Sequence, residues 1–231
     1  VCVRTADVSV TTESWRDAYS SGSHSAAMAD EVWVVRHGQR RDSVDPDWPQ
    51  TGERVHDPPL TELGRWAAWR VGRRFVESGQ TFDAVYASPF LRAVETADEI
   101  CRETGNEVLL EPGLGEHRNP EWFDADPETL SNRQLAERFD TVRDSHEPYV
   151  VPEFPEDHAE AAARVGETVR RIVDEVDGTV LLVGHGLTVG GVVDGLTGDT
   201  AGVEAPLCGL TRLERVEGTW RLDFSGETAH L

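Results

Sequence analysis

Short apolar runs alternate with longer amphipathic segments along most of the chain. The runs typical of buried strands lie at 31–36, 82–88, 107–111 and 179–184. Segments with helical spacing of apolar residues lie at 62–78, 88–104, 128–139, 157–176 and 187–196. Because strands that alternate with helices form parallel sheets covered on both faces, the pattern predicts an α/β fold, a three-layer α/β/α architecture with a mostly parallel central sheet. The last two strand-like runs, at 206–216 and 219–225, predict a C-terminal edge hairpin.

A long polar loop is predicted at 38–60, directly after the first strand. Thr61 follows it, and its hydroxyl is suited to cap the helix at 62–78. The large apolar side chains of that helix recur at roughly helical spacing, and they are Trp66, Trp69 and Phe75. The loop and the segment at 111–156 are expected to roof any site at the end of the first strand.

The next helix has a different start signal. Ser88 is predicted to be its N-cap, with Pro89 at the first helical position, where the missing N–H of proline costs nothing. Arg92 then falls in the first turn of the helix. Taken alone, this segment also fits a capped surface helix in which Arg92 pairs with Glu95.

The first part of the chain lacks this alternation. Residues 1–27 are rich in Ser, Thr, Ala and Gly, and Met28 is the only methionine. We therefore predict that residues 1–28 are an extension, poorly ordered over 1–27, and that translation starts at Met28. The extension has no continuous apolar segment of the kind found in signal peptides.

Composition narrows the class of protein. The chain has 231 residues, of which 38% are hydrophobic, enough for one large α/β domain. The sequence contains no run of about 18 apolar residues, so no membrane-spanning helix is predicted. The three cysteines are odd in number and form no CxxC pair, so neither a disulfide framework nor a zinc ribbon is indicated. These features predict a protein of the reducing cytoplasm.

The charge is strongly acidic. All 22 basic residues are arginine, and 43 acidic residues give a formal net charge of −21. Such a surface resembles that of proteins from salt-loving archaea, and it repels nucleic acid and anionic lipid. Neither nucleic acid nor a membrane is therefore expected as a partner. A phosphate-bearing ligand must be held by a local cluster of arginines.

Three polar clusters follow predicted strands or open the helices beyond them. They are Arg36-His37-Gly38, Ser88-Pro89 with Arg92, and Gly184-His185-Gly186. Ligands of parallel sheets bind at the carboxyl ends of the strands, so we expect the clusters to converge on one anion pocket. Guanidinium groups suit phosphate oxygens, the glycines allow close approach of a ligand, and the two helix N termini would aim N–H groups at an anion.

Two other interpretations of these clusters fit less well. A metal site made of His37, His185 and a carboxylate lacks an HExxH motif, and the neighbouring arginines would repel a cation. The segment GHGLTVGG is similar to a dinucleotide fingerprint, but its third glycine is misplaced and no acidic ribose partner is evident. No metal and no cofactor are therefore predicted.

Four motifs in one order identify a family resemblance. VVRHGQR, ASPFLRAVETA, EPGLGEHRNPEW and LLVGHG together resemble the histidine phosphatase superfamily, the phosphoglycerate-mutase-like phosphatases. The resemblance runs from about Glu31 to the chain end, which implies a phosphatase domain over 29–231. The details are most similar to the branch of the suppressor of T-cell-receptor signalling phosphatases. In that branch RHGxR is likewise followed by a long insertion, DPPL and an EPG…E segment.

The resemblance implies a role for each matching residue. His37 is the nucleophile that accepts the phosphoryl group, and Glu116 donates a proton to the leaving group, with Glu111 and Glu121 as the alternative carboxylates. Arg36, Arg92 and His185 bind the phosphoryl oxygens, and Arg40 is an additional arginine of the pocket. Gly186 is predicted to contact the substrate for a separate reason, because a glycine lets the ligand approach the backbone closely. The implied function is a phosphomonoesterase that acts on a small phosphorylated substrate through a phosphohistidine.

Two departures from the family pattern bear on the reaction. Mutases of the superfamily usually have Ser-x-x-Asn after RHG and Trp-Glu-Gly after the acid. Here Arg40-Arg41-Asp42-Ser43 and His117-Arg118-Asn119 stand in those places, which favours hydrolysis. His117 also stands where the mammalian signalling enzymes have an aromatic residue, so a preference for tyrosine phosphate is not implied. A mutase-type phosphotransferase and a non-catalytic phosphate-binding module are the alternatives.

Overall fold

The structure is a computed structural model that describes residues 28–231. The predicted extension at 1–27 lies outside the described residues. The strands are β1 (Ala29–Arg36), β2 (Ala84–Ala87), β3 (Val108–Leu110), β4 (Val142–Arg143), β5 (Gly178–Gly184), β6 (Leu210–Val216) and β7 (Thr219–Glu227). The α-helices are α1 (Trp48–Thr51), α2 (Glu62–Ser78), α3 (Leu91–Thr104), α4 (Asn132–Arg138), α5 (His158–Glu175) and α6 (Gly186–Thr197).

All seven strands form one sheet in the order β4-β3-β2-β5-β1-β6-β7. The first five in this order are parallel to one another. The last two are added antiparallel, and β6 and β7 form the hairpin at the edge. The predicted mostly parallel sheet and edge hairpin are confirmed. Strand β4 was not predicted, because two residues are too few to show an apolar pattern.

Helices cover both faces of the sheet. Alternation along β1 sends Val35 to one face and Val34 to the other. The first face packs against α2 and α3, with Phe75 and Ile100 in its core. The second packs against α5 and α6, with Val169 among its buried residues. This is the predicted three-layer α/β/α architecture.

Helix α2 begins and ends where the sequence pattern places it. Thr61 Oγ1 accepts a hydrogen bond from Gly64 N at 3.0 Å, which is the predicted cap. Of the aromatic residues on this helix, Phe75 is buried, whereas Trp66 and Trp69 are 47% and 37% exposed. Helical spacing therefore identified the helix but not every residue of its buried face.

The predicted start of α3 is wrong by two residues. Phe90, not Ser88, is the N-cap, and the helix begins at Leu91. The Ser88 hydroxyl lies 2.9 Å from His185 Nε2, and the amide of Leu91 donates at 2.6 Å to Oδ1 of Asp57 instead. A carboxylate 34 residues away in the sequence thus caps the helix. Arg92 still lies in the first turn.

Two further features concern the cysteines and the hydropathy of the helices. Cys101 and Cys208 are both buried free thiols, and burial raises the pKa of each to about 12. Over residues 28–231, none of the helices has the length and hydropathy that crossing a bilayer would require.

Candidate active site

The three polar clusters lie side by side at one edge of the sheet. Strand β5 lies between β1 and β2, and its end is level with theirs. The amide of His37 donates to Gly184 O at 2.8 Å, and the amide of Ser88 donates to Val183 O at 3.0 Å. The ring centroids of His37 and His185 are 5.3 Å apart. The carboxyl ends of three parallel strands therefore bring both histidines to one point.

His37 is held as a neutral imidazole with one nitrogen free. The ring is buried, and its Nδ1 lies 2.8 Å from the carbonyl oxygen of Gly38. A carbonyl can only accept a hydrogen bond, so Nδ1 carries the proton and Nε2 keeps its lone pair. Burial, together with the charge of Arg92 and the neighbouring His185, lowers the pKa of His37 well below 6.5. At neutral pH the ring is a nucleophile.

His185 is fully buried beside it. Nε2 lies 2.9 Å from Ser88 Oγ, and that oxygen accepts from the amide of Phe90 at 3.4 Å. The serine hydroxyl can therefore donate to Nε2, which leaves the proton of His185 on Nδ1. Burial lowers the pKa of His185 to about 4. Nδ1 lies 3.2 Å from Oε2 of Glu116 without the alignment of a hydrogen bond.

Two arginines supply positive charge to the same pocket. Arg92 is buried, and its Nη2 lies 3.3 Å from Oε2 of Glu116. Arg36 donates from Nη1 to the carbonyl of Ala205 at 2.7 Å. The Nε atoms of both arginines and Nδ1 of His185 are buried and have no hydrogen-bond partner within residues 28–231. Three buried donors of this kind fit an anion with several oxygens.

Glu116 is the carboxylate of the pocket. Burial acts to raise its pKa, but His185, Arg92 and the amide of His117 outweigh it and hold the pKa well below the usual range. The group is therefore ionised in the site as it stands. A phosphoryl dianion placed between Glu116 and these groups would raise the pKa of Glu116 again, because like charge opposes ionisation.

The two alternative carboxylates lie elsewhere. Glu111 is buried and accepts hydrogen bonds from the amides of Gly113 and Tyr149, both at 2.8 Å. These bonds fix the turn after β3, which is a structural role. Glu121 is exposed and does not line the pocket that Arg92 and Glu116 line. Only Glu116 among the three lies against Arg92 and His185.

Two other predicted binding residues line the pocket. Arg40 is one of them. Its Nε lies 3.0 Å from Oδ1 of Asp42, so its charge is paired with that carboxylate. Gly186 also lines the pocket, at the N terminus of α6. A Cβ atom added at Gly186 would lie 3.7 Å from Cζ of Arg36, so the glycine keeps this approach to the guanidinium open.

The interpretation of Gly38 as a ligand-facing glycine is wrong. A Cβ atom at Gly38 would lie 2.6 Å from the carbonyl oxygen of Gly64, in the first turn of α2. The amide of Gly38 donates to Thr96 Oγ1 at 3.1 Å rather than to the pocket. Close packing of α2 against the end of β1 therefore requires this glycine.

Of the two helix N termini that were expected to face an anion, one lies at the pocket. Gly186 and Leu187 at the start of α6 line the pocket. At the start of α3 the amide of Leu91 is already taken by Asp57. The protein thus supplies its own carboxylate at that helix end, and α3 contributes Arg92 instead of its amides.

Sequence reasoning missed the residues that hold Glu116 in place. Arg164 of α5 is buried and donates to the carbonyls of Gly113 at 2.8 Å and Glu116 at 3.3 Å. Its Nε also donates to Glu156 Oε2 at 2.9 Å, and Glu156 is buried as well. An arginine in an amphipathic helix is typical of a solvated face, so its spacing gave no signal.

The pocket itself is large. It has a volume of about 990 Å³, and Arg36, Arg92 and Glu116, which contacts His185, are among the residues that line it. Its lining residues come from the end of β1 and the loop after it, from α3, from the segment after β3, from α5, and from α6 and the segment after it. They include Arg36, Arg40, Asp42, Val55, His56, Arg92, Glu116, His117, Trp122, Phe123, His158, Leu187, Gly190, Asp194 and Val203.

The three groups His37, Glu116 and His185 have the geometry of a metal site, since one ligand atom of each lies within 4.8 Å of the others. The electrostatic surroundings do not suit a cation. The guanidinium of Arg92 already contacts Glu116, and both Arg36 and Arg92 line the same pocket. An anion fits this donor set better than a divalent metal ion.

Comparison with known proteins gives relatives of two kinds. Over 238 aligned residues the chain is 26% identical to the ecdysteroid-phosphate phosphatase of Drosophila melanogaster, a match that covers 83% of this chain and 31% of that protein. It is 30% identical over 194 residues to the 2,3-bisphosphoglycerate-dependent phosphoglycerate mutase of Rhizobium etli, covering 77% of this chain and 87% of the mutase. The chain thus spans about a third of the first relative and most of the second.

A solved structure shares the fold. The ecdysone phosphate phosphatase of Bombyx mori, in complex with tungstate, superposes with a TM-score of 0.72 at 24% identity, over 84% of this chain and 91% of that one. The model of the histidine phosphatase superfamily, branch 1, matches residues 32–228, which include every motif discussed above. The family expectation is confirmed: the chain belongs to the histidine phosphatase superfamily.

Proposed function

We propose that the protein is a phosphomonoesterase that hydrolyses a small phosphorylated substrate through a phosphohistidine on His37. One observation carries this proposal. A buried, neutral imidazole with a free Nε2 lies beside three buried donors that have no partner within residues 28–231, and beside one carboxylate. A site that only binds phosphate needs the donors but has no use for the nucleophile.

The reaction runs in two steps. Nε2 of His37 attacks phosphorus as the ester P–O bond breaks, and protonated Glu116 gives its proton to the leaving oxygen. Water then attacks phosphorus, the N–P bond breaks, and Glu116 takes a proton from that water as inorganic phosphate forms. The phosphoryl group itself raises the pKa of Glu116 on binding, because its negative charge faces the carboxylate. The acid is therefore formed when it is needed.

The two arginines and the neutral ring of His185 lower the barrier by holding the phosphoryl group in place. Phosphoryl transfer needs alignment and charge neutralisation more than covalent assistance. Arg36 and Arg92 lie at the pocket floor with unpaired Nε atoms, and His185 offers Nδ1 from the next strand. These donors can hold the equatorial oxygens while Nε2 of His37 attacks in line. Nothing in this scheme requires a metal ion.

A phosphoglycerate-mutase-type phosphotransferase is the second candidate, and the match to the mutase of Rhizobium etli favours it. The same His37 chemistry would serve both reactions, since only the acceptor of the phosphoryl group differs. The positions that differ from the mutase pattern, among them Asp42 and His117, line the pocket where a second phosphorylated substrate would bind. We take these differences to favour water as the acceptor.

We also propose that the protein works in the cytoplasm at high salt. The support is its composition: a net charge of −21, no lysine, and two buried thiols that remain reduced. The acidic surface opposes binding to nucleic acid and to anionic membranes. A small phosphorylated substrate can still bind, because the local arginine cluster attracts it.

The test is a trapped phosphoenzyme. Wild-type protein treated with a labelled phosphate monoester and quenched in base should retain a label that acid releases, and His37→Ala should retain none. His146→Gln is the matched control, because this histidine lies outside the pocket and contacts Glu111. Turnover should persist with a chelator present. Loss of activity with the chelator would support a metal hydrolase, and acid-labile label on His37→Ala would refute the assignment of the nucleophile.

A further inference from the structure

The pocket extends well beyond the groups that would hold a phosphoryl group. Its volume of about 990 Å³ is in the range of sites that enclose a whole organic ligand. One wall is aromatic. Phe123 packs edge to face against His56, with centroids 4.9 Å apart, and against Trp122 at 6.5 Å. Trp122 is 57% exposed, so a large apolar surface is left open to the pocket.

Apolar residues at and after α6 also line the pocket. Leu187 and Gly190 of α6 line it, together with Val203 from the segment after that helix. A Cβ atom added at Gly190 would meet no other atom within 4 Å. The space next to Gly190 is therefore open, and a flat group could enter it.

Among the residues that line the pocket, no arginine is left free for a second anion. Arg36 and Arg92 belong to the phosphoryl site, and Arg40 is paired with Asp42 at 3.0 Å. Asp194 of α6 also lines the pocket, is exposed, and forms no ion pair within residues 28–231. A substrate with a carboxylate or a second phosphate would meet Asp194 without a free cation nearby.

We propose that the preferred substrate is the phosphate monoester of an uncharged alcohol with an apolar, ring-bearing body, and that substrates with a second anionic group are disfavoured. The ring would lie against Trp122 and Phe123, where aromatic contact adds to the burial of apolar area. This inference rests on the proposed phosphatase activity and narrows its substrate class.

Three substrates with the same kind of leaving group test it. 2-Phenylethyl phosphate, glycerol 1-phosphate and 3-phosphoglycerate are all primary alkyl esters, so differences in kcat/KM report the pocket rather than the leaving oxygen. We expect kcat/KM to fall in that order, by roughly tenfold or more at the first step. Equal values, or a preference for 3-phosphoglycerate, would overturn the proposal. Absence of turnover with all three would instead count against the phosphatase activity itself.

Substitutions at Trp122 and at Gly190 test whether these parts of the pocket cause the preference for 2-phenylethyl phosphate. Trp122→Ala should lower the ratio of kcat/KM for 2-phenylethyl phosphate over glycerol 1-phosphate about tenfold. Trp66→Ala, an exposed tryptophan of α2 outside the pocket, is the matched control and should leave that ratio unchanged. Gly190→Leu should fill the open space with a good helix former and lower the same ratio. If neither the Trp122 nor the Gly190 variant changes the ratio, the aromatic body does not bind here.

A charge reversal tests the exclusion of anions. Asp194→Arg should raise kcat/KM for 3-phosphoglycerate relative to glycerol 1-phosphate about fivefold at low ionic strength, because it places a cation where the structure has a carboxylate. The gain should shrink with added salt. Because this variant gains a function, misfolding cannot imitate the expected result. A ratio that stays constant in Asp194→Arg would show that the pocket charge does not select the substrate.

Discussion

Oε2 of Glu116 lies 3.2 Å from Nδ1 of His185. The proposed proton donor therefore rests against a group that would hold the phosphoryl oxygens, and it is ionised until a substrate enters. The same carboxylate oxygen lies 3.3 Å from Arg92. Binding of the anion and protonation of Glu116 are thus linked through one carboxylate oxygen. The contribution of Glu116 as a proton donor should then depend on how much the leaving group needs a proton.

Glu116→Gln should impair the hydrolysis of alkyl phosphates far more than that of aryl phosphates. A p-nitrophenolate leaves without a proton, whereas an alkoxide does not, and general acid catalysis contributes roughly 10²–10⁴-fold. Parallel kinetics on p-nitrophenyl phosphate and glycerol 1-phosphate measure the contrast. Glu121→Gln is the control, since that side chain is exposed outside the pocket. Equal losses on both substrates would show that Glu116 acts by another route.

Acid should destabilise the protein through His185. Burial lowers its folded pKa to about 4, whereas the unfolded value is 6.5, so the unfolded chain binds more protons between these values. Stability is therefore retained above pH 6.5 and is lost as the pH falls toward 4, by on the order of 3 kcal/mol for a shift of this size.

The comparison that isolates this contribution is wild type against His185→Gln. Carboxylates elsewhere titrate in both proteins, so their effect cancels in the difference between the two unfolding free energies. Denaturant unfolding at a series of pH values from 7 to 4 should show the wild-type advantage shrinking as the pH falls. A difference that is constant over this range would mean that His185 titrates normally.

Arg164 should act on catalysis through Glu116. It donates to the Glu116 carbonyl at 3.3 Å and to the Gly113 carbonyl at 2.8 Å, and it does not line the pocket. Arg164→Met should therefore reduce kcat on alkyl phosphates more than on p-nitrophenyl phosphate, with little change in KM. A purely structural residue would lower both activities together.

The same substitution should also destabilise the fold. It removes the arginine partner of the buried Glu156 carboxylate, which then keeps the amide of Arg118 as a donor, and breaking a buried pair of this kind costs about 3–5 kcal/mol. The double variant Arg164→Met with Glu156→Gln should recover part of this stability, because it removes the unpaired charge, without recovering alkyl phosphatase activity. Recovery of both together would show that Arg164 serves stability alone.

The parts of this structure that sequence predicted are those whose signals are local. Thr61 lies next to the helix that it caps, and the start and end of α2 were predicted correctly. The start of α3 was not, because its cap is Asp57, which approaches only after the loop at 38–60 has folded back. Ser88 gave a false local signal, since its hydroxyl is used by His185 instead.

The site shows the same division. The motif residues His37 and His185 end neighbouring strands, so the rule for parallel sheets was enough to bring them together. Arg164 and Glu156 lie far from those motifs in the chain, and nothing in their spacing distinguishes a buried ion pair from two surface charges. The segment at 111–156 was expected to roof the site, but that Trp122 would line the pocket was not predicted, because this part of the segment has no regular secondary structure.

Salt should stabilise the protein. The chain carries 43 acidic against 22 basic residues, so repulsion among surface carboxylates exceeds the attraction of its surface ion pairs. Those pairs contribute only about 0–1 kcal/mol each, and salt weakens them as well. The Debye length falls from about 10 Å at 0.1 M to about 3 Å at 1 M, which leaves only close contacts unscreened. The unfolding temperature should therefore rise across a potassium chloride series, by roughly 2–4 °C for each 1 kcal/mol gained.

A variant with fewer carboxylates distinguishes screening from a general effect of salt on water. Glu128, Asp174 and Asp177 are exposed and form no ion pair within residues 28–231, and changing each to lysine raises the formal net charge by two. The triple variant should be more stable than wild type at low salt and should gain less from added potassium chloride, because it has less repulsion to relieve. Equal gains in both proteins would mean that salt acts through apolar burial rather than charge, and a falling unfolding temperature in wild type would refute the high-salt proposal.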